Sequence, residues 1–69
     1  MQNFQIKRVS QSLHHPDMLT FEFEDELPNG SREMGMYKNQ APDAQAGDFI
    51  VFPGGEREPY FQKRSEGHG

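Results

Sequence analysis

Hydrophobic and polar residues alternate most clearly in the segment that begins at Met18. Three large apolar residues are separated by polar ones in the order Leu19, Thr20, Phe21, Glu22, Phe23, Glu24. A two-residue period is typical of a β-strand with one buried face and one face in water. The pattern therefore predicts a strand over 18–24 whose Phe side chains enter the core and whose carboxylates face solvent.

A turn signal and a second strand follow this segment. The Asn29-Gly30 pair favours a tight hairpin turn, because both residues readily adopt positive φ angles. With these two residues as the loop, the second strand runs through Tyr37, and Phe23 lies opposite Met36. This register is predicted because it collects the Phe and Met side chains on one face. It also places Asp25 opposite Met34 and Glu26 opposite Glu33.

The rest of the chain divides into short pieces of the same kind. A first strand is predicted over 4–9, and a polar connection over 11–17 ends at His15-Pro16. One short helical turn is predicted near Pro42-Asp43-Ala44. The apolar run at 48–52 is typical of a strand covered on both faces, and Pro53-Gly54-Gly55 is predicted to be a turn. A last strand is predicted over 59–63.

These elements predict an all-β fold with little helix. The chain contains five Pro and seven Gly, which interrupt any helix of ordinary length. We expect a small five-stranded meander, a curled sheet or a barrel of the SH3-like or OB-like size class. One domain is predicted over 1–64, with a disordered tail over 65–69. The last strand begins at Pro59, which is typical of an edge strand that a partner strand could join.

Length and composition limit the functions to consider. The chain has 69 residues and no cysteine, so disulfides and thiolate zinc sites are excluded and self-association is a natural source of stability. The first residues lack an apolar run of signal-peptide length, and no segment approaches the length of a membrane span. We therefore expect a soluble, cytoplasmic protein that does not associate with a membrane. We also expect it to form homodimers or to bind a protein partner.

Acidic side chains form the strongest charge feature. The net charge is −4, which disfavours binding to a phosphate backbone. A solvated strand face is one interpretation of the acids, and docking of a basic protein is the other. If the second holds, the protein-binding residues are Glu22, Glu24, Glu26 and Glu33.

The segment His14-His15-Pro16-Asp17 is the one place where metal binding or catalysis can be considered. Adjacent side chains of an extended chain point to opposite faces, so the two His do not readily hold one metal together. The tetrapeptide resembles the His-His-Pro motif of pterin-carbinolamine dehydratases, but the long preceding helix and the later Thr-His segment of that family are missing. We interpret the segment as a polar loop, and we predict no catalytic residue, metal or cofactor.

Nucleic-acid binding is the alternative from a different class. Small β-barrels bind single strands by stacking bases on exposed aromatic rings beside basic side chains. The candidate residues for such a site are Tyr37, Lys38, Tyr60, Phe61 and Lys63. The competing interpretation is that these aromatic rings fill a core that is short of Leu and Ile.

The last third of the chain carries a family resemblance. The run Ala46-Gly47-Asp48-Phe49-Ile50-Val51, with the glycine turn and Glu58-Pro59-Tyr60-Phe61 after it, resembles short phage and prophage proteins with a Pro-Gly-Asp-Tyr-Gly-like motif. Ala46 stands at the Pro position and Phe49 at the Tyr position. The resemblance implies a small phage protein that acts on a host factor. We therefore expect a non-enzymatic binding protein that uses its acidic strand face or an open strand edge.

Overall fold

The fold is a single curled antiparallel sheet, described by a computed structural model over residues 1–65. Its strands are β1 (Gln2–Gln11), β2 (Met18–Phe23), β3 (Glu33–Tyr37), β4 (Phe49–Phe52) and β5 (Tyr60–Gln62). The predicted small all-β class is confirmed. Of the predicted tail, only Ser65 falls within the described residues, where it lies outside any strand, and 66–69 lie beyond them.

The sheet has the strand order β3-β2-β1-β4-β5, which differs from a simple meander because β4 joins β1 instead of β3. The first half of β1 pairs with β4 and its second half pairs with β2. The register shifts between Ile6 and Arg8, at the point where one pairing gives way to the other. Such a bulge bends a strand and increases its twist. The bend in β1 curls the sheet into a half-barrel.

The core lies on the concave face of this sheet. Phe21 and Phe23 are buried, as their alternation with Thr20 and Glu22 predicts. In β1 the bulge allows both Ile6 and Val9 to contact the same core, although their spacing breaks the two-residue period. The buried core comprises Ile6, Phe21, Phe23, Leu27, Met36, Ala41 and Ile50.

Strand β4 is buried on both faces, as its continuous apolar run predicts. Ile50 is 0% exposed and its neighbour Val51 is 1% exposed, although successive strand residues point to opposite faces. Ile50 faces the main core, and Val51 lies between Asn3 of β1 and Tyr60 of β5.

The predicted register of the β2–β3 hairpin is wrong. Met36 lies opposite Leu19 rather than Phe23, and Met34 lies opposite Phe21 rather than Asp25. The shift is an even number of residues, so the Phe and Met side chains still share one face. The like-charge pair that results is Glu22 with Glu33, not Glu26 with Glu33.

The connection between β2 and β3 explains this difference. The Gly30 N–H donates to the Leu27 carbonyl at 2.8 Å, and the Leu27 N–H donates to Ser31 at 2.7 Å. With Gly30 at a φ of 86°, this pattern is that of a three-residue Pro-Asn-Gly loop rather than a two-residue one. The Phe23 N–H then bonds to Arg32, so the segment 24–26 bulges out of the ladder.

The short helical turn also lies elsewhere than predicted. It is a 3₁₀ turn over Lys38–Gln40, directly after β3, while Pro42 and Asp43 form a non-helical turn. Asp43 has a φ of 57°, in the left-handed region, which interrupts any helix at that point. Within residues 1–65 no helix is long and apolar enough to cross a membrane.

Candidate binding surfaces

The acidic residues of β2 are partly neutralised by β1. The Arg8 guanidinium donates to the Glu22 carboxylate at 2.8 Å, and the Lys7 ammonium lies 3.2 Å from the Glu24 carboxylate. Arg8 and Glu22 are register partners, so the pair follows directly from the strand alignment. The hydrogen bond with Glu22 raises the pKa of Arg8 above its ordinary value. Two of the predicted protein-binding acids are therefore already engaged within the chain.

The other predicted acids are exposed at two separate places. Glu26 lies in the bulge between β2 and β3, and Glu33 begins β3 at the edge of the sheet. No ion pair in the described part of the chain includes either carboxylate. Glu33 lies opposite Glu22, and this contact between like charges makes its carboxylate a natural site for an incoming cation. The acidic surface open to a partner is centred on Glu33 rather than on the middle of β2.

The β3 edge has backbone groups that point away from the sheet. The Phe23 N–H bonds to Arg32 and the Lys38 N–H bonds to Asp17, both at 2.8 Å. In an antiparallel ladder the residues that bond to the neighbouring strand alternate with those that do not. The residues of β3 whose backbone groups face outward are therefore Glu33, Gly35 and Tyr37.

Ser31 limits how much of this edge is open. Its hydroxyl accepts a hydrogen bond from the Glu33 N–H at 3.1 Å and donates to the Glu33 carbonyl at 3.0 Å. These contacts agree with an outward direction of the Glu33 N–H and carbonyl groups. They also occupy both groups, so neither is free to bond to an added strand. Gly35 and Tyr37 then provide the open part of the edge.

The β5 edge, where the sequence predicts strand addition, is shorter. Strand β5 does lie at the edge of the sheet, as predicted. The Ile6 N–H bonds to the Asp48 carbonyl at 2.8 Å, which directs Phe49 and Val51 towards β5. Within β5 only the backbone of Phe61 is left facing outward, and Pro59 before it has no N–H to offer. The β3 edge is therefore the better template for an added strand.

An apolar groove of about 250 Å³ runs along the β3 edge. The residues that line it include Met18, Met34, Met36 and Pro59. Gly35 leaves the middle of the edge without a side chain, and the Met18 methyl group lies 3.2 Å from the position that a Cβ at Gly35 would take. Flexible Met side chains adapt to different apolar partners. Edge and groove together form a surface suited to an extended chain.

The predicted nucleic-acid residues divide into exposed side chains and side chains with contacts inside the protein. Tyr37 is 55% exposed on β3 and Tyr60 is 45% exposed on β5, which are the two edge strands of the sheet. The groove that Tyr37 lines also includes Pro59, the neighbour of Tyr60. Phe61 stacks on Phe21 with a centroid distance of 6.4 Å and packs against the core. Lys63 donates to the Asp48 carboxylate at 3.0 Å. Two members of the set thus have internal contacts, and Lys38 lies beside Tyr37.

The two His residues lie on an exposed loop. The backbone N–H groups of His14 and His15 donate to the Ser12 hydroxyl at 3.4 and 3.3 Å. His14 also borders a shallow depression of about 410 Å³ with Thr20 and Glu33. In the described residues no group of three or more His, Asp or Glu side chains is placed to hold a metal ion.

Asp48 is the buried ionisable residue that the sequence does not reveal. It is 1% exposed, and it accepts hydrogen bonds from the Gln45 and Arg64 N–H groups and from Lys63. Burial alone raises its pKa, but the bonds from Arg64, Gln45 and Lys63 outweigh burial and hold the pKa below its ordinary value. Gly47 before it has a φ of 100°. The Gly-Asp pair of the motif therefore has a structural role here.

Comparisons of the chain with protein-family models, with curated proteins and with solved structures find no match.

Proposed function

We propose that this chain is a non-enzymatic protein-binding domain that takes up an extended segment of a partner as an additional strand beside β3. The observation that carries the proposal is the open edge at Gly35 and Tyr37, next to a groove lined by Met18, Met34 and Met36. Strand addition supplies affinity through backbone hydrogen bonds and specificity through alternate side chains, so it needs no deep pocket. A chain of this size is suited to that mode of binding.

The acidic residues have a secondary role in this proposal. Charges beside an interface accelerate association and select the sign of the partner more than they add affinity. Glu26 and Glu33 are exposed for that purpose, while Glu22 and Glu24 contribute to the local potential from within their pairs with Arg8 and Lys7. The resemblance of the last third to phage proteins makes a host protein the proposed class of partner.

Two variants at Gly35 test the proposal. Gly35→Pro removes the outward N–H without touching the bonds to β2, and Gly35→Ala adds a similar Cβ but keeps the N–H. A partner recovered from a bacterial lysate by the wild type and by Gly35→Ala is expected to be lost with Gly35→Pro. Hydrogen exchange at the Gly35 and Tyr37 amides is expected to slow in the complex. Equal recovery by both variants would contradict binding at this edge.

A further inference from the structure

The residues around the open edge of β3 select what can bind there. An antiparallel strand would place its residues in register with Tyr37, Met36, Gly35, Met34 and Glu33 in that order. The positions opposite Met36 and Met34 point to the concave face, and the others point to the convex face. Along the edge an added strand therefore meets an exposed tyrosine, two methionines, one glycine without a side chain and one carboxylate.

We propose that the occupant of this edge is an antiparallel strand with a Lys or Arg opposite Glu33, a large side chain opposite Gly35 and apolar residues opposite Met34 and Met36. This inference rests on the proposed function and specifies its partner. The charge preference comes from Glu33, which faces Glu22 across the strand pair and has no ion pair within residues 1–65. Glu58, which also lines the groove, adds to the negative potential.

The bare position at Gly35 favours a large partner side chain. An aromatic ring laid across a glycine on the neighbouring strand covers backbone that would otherwise face water. The contact that a Cβ at Gly35 would meet is the Met18 methyl group, the end of a flexible side chain that can move aside. A ring in this place packs against Met18 and Tyr37, which lie on the same face of the sheet.

A second copy of this chain fits the edge less well. Pairing β3 with its own copy about Gly35 would set glycine opposite glycine at the centre, where no side chain contributes. The same register places Arg32 opposite Lys38, a like-charge pair that destabilises a sheet. Each copy also carries a net charge of −4, so approach is opposed. A strand from another protein that carries one Lys or Arg opposite Glu33 and a large side chain opposite Gly35 avoids the glycine pair and the Arg32–Lys38 pair.

The test uses two blocked peptides, Thr-Val-Tyr-Val-Lys and Thr-Val-Tyr-Val-Glu, titrated into the full chain at low salt and followed by amide NMR. The Lys peptide is expected to change the chemical shifts of the Gly35 and Tyr37 amides. It is also expected to bind about threefold more tightly than the Glu peptide, because an exposed ion pair contributes only a small free energy. Glu33→Lys is expected to reverse the preference. Glu56→Lys, which changes an exposed acid in the β4–β5 connection, is the matched control and is expected to retain the preference.

The outcomes separate this inference from the function on which it rests. If both peptides shift Gly35 equally in the wild type and in Glu33→Lys, strand addition stands and the basic partner is rejected. If neither peptide shifts Gly35 at any concentration reached, the proposed function itself fails. If the protein alone is a dimer that Gly35→Pro converts to a monomer, a second copy occupies the edge and the inference is overturned.

Discussion

The Asp48 carboxylate and the Lys63 ammonium lie 3.0 Å apart and join the start of β4 to the residue that follows β5. Lys63 also donates to the Asp43 carbonyl at 2.6 Å, so one ammonium links the β3–β4 connection to the end of β5. The hydrogen bond with Asp48 raises the pKa of Lys63, although desolvation opposes this change. Asp48 therefore fixes the ends of β4 and β5 relative to each other.

This arrangement predicts acid sensitivity. The pKa of Asp48 is lowered in the folded chain, so its contribution is complete above the unfolded pKa of about 3.9 and is lost as pH falls through the folded value. We expect the free energy of unfolding to decrease below about pH 4 for this reason. Urea unfolding at neutral and acidic pH measures the change.

Asp48→Asn is the variant that isolates this residue. It is expected to lower the free energy of unfolding at neutral pH by about 2–3 kcal/mol, because the charged hydrogen bonds are weakened inside the protein. When the pH is lowered, the free energy of unfolding of Asp48→Asn should decrease less than that of the wild type. Asp43→Asn, at an exposed position beside the same Lys63, is the control. An identical pH dependence in wild type and Asp48→Asn would contradict the assignment.

The Glu22–Glu33 pair predicts a stabilising substitution. Like charges directly opposite each other destabilise a sheet, and Arg8 offsets only the Glu22 side of this pair. Glu33→Gln is therefore expected to raise the melting temperature at low salt, and the gain should shrink as salt is added. Glu26→Gln, in the bulge, is expected to leave the melting temperature unchanged. A gain independent of salt would mean that charge is not the cause.

The direction of the β3 backbone groups predicts opposite effects of proline at neighbouring positions. Gly35→Pro removes an outward N–H and should leave the fold intact, because proline is accepted at the open side of an edge strand. Met34→Pro removes a ladder hydrogen bond and leaves its β2 partner unpaired, at a cost of about 1–3 kcal/mol before any steric effect. Circular dichroism and thermal unfolding compare the two. Equal destabilisation would show that the deduced alternation is wrong.

The aromatic residues near β5 are expected to differ in their effect on stability. Phe61 packs on Phe21, so Phe61→Ala should lower the free energy of unfolding by about 2 kcal/mol, roughly half the cost for a fully buried ring. Tyr60→Ala is expected to cost less, since the ring is 45% exposed. Denaturant unfolding of both variants measures the difference. A larger loss for Tyr60→Ala would reverse the assignment of core and surface.

Local patterns predicted the strands and their faces. The alternation of Leu19, Phe21 and Phe23 identified the buried side of β2, and the unbroken apolar run identified β4 as a strand buried on both sides. The outward direction of Glu22 and Glu24 follows from the same alternation. These features depend on side-chain chemistry and on the strand period, which act between near neighbours in the chain.

Registers and the open edge could not be predicted in the same way. The Asn29-Gly30 pair indicated a turn, but the bulge at 24–26 changed the partner of every β2 residue. The choice of β3 over β5 as the open edge depends on β1 lying between β2 and β4. The hydrophobic period of a strand indicates which face is buried, but it does not indicate which distant strand will pair with it.

The sequence by itself determined the all-β class, the buried face of β2 and the turn at Asn29-Gly30, because propensity and period are properties of short segments. The tertiary structure decided the pairing of β1 with both β2 and β4, the burial of Asp48 beside Lys63 and the exposure of the Gly35 backbone. Each of these depends on contacts between residues far apart in the chain. The pairing that forms is the one with the lowest free energy summed over all strands, and no short segment contains that information. The surface proposed for binding belongs to this second group.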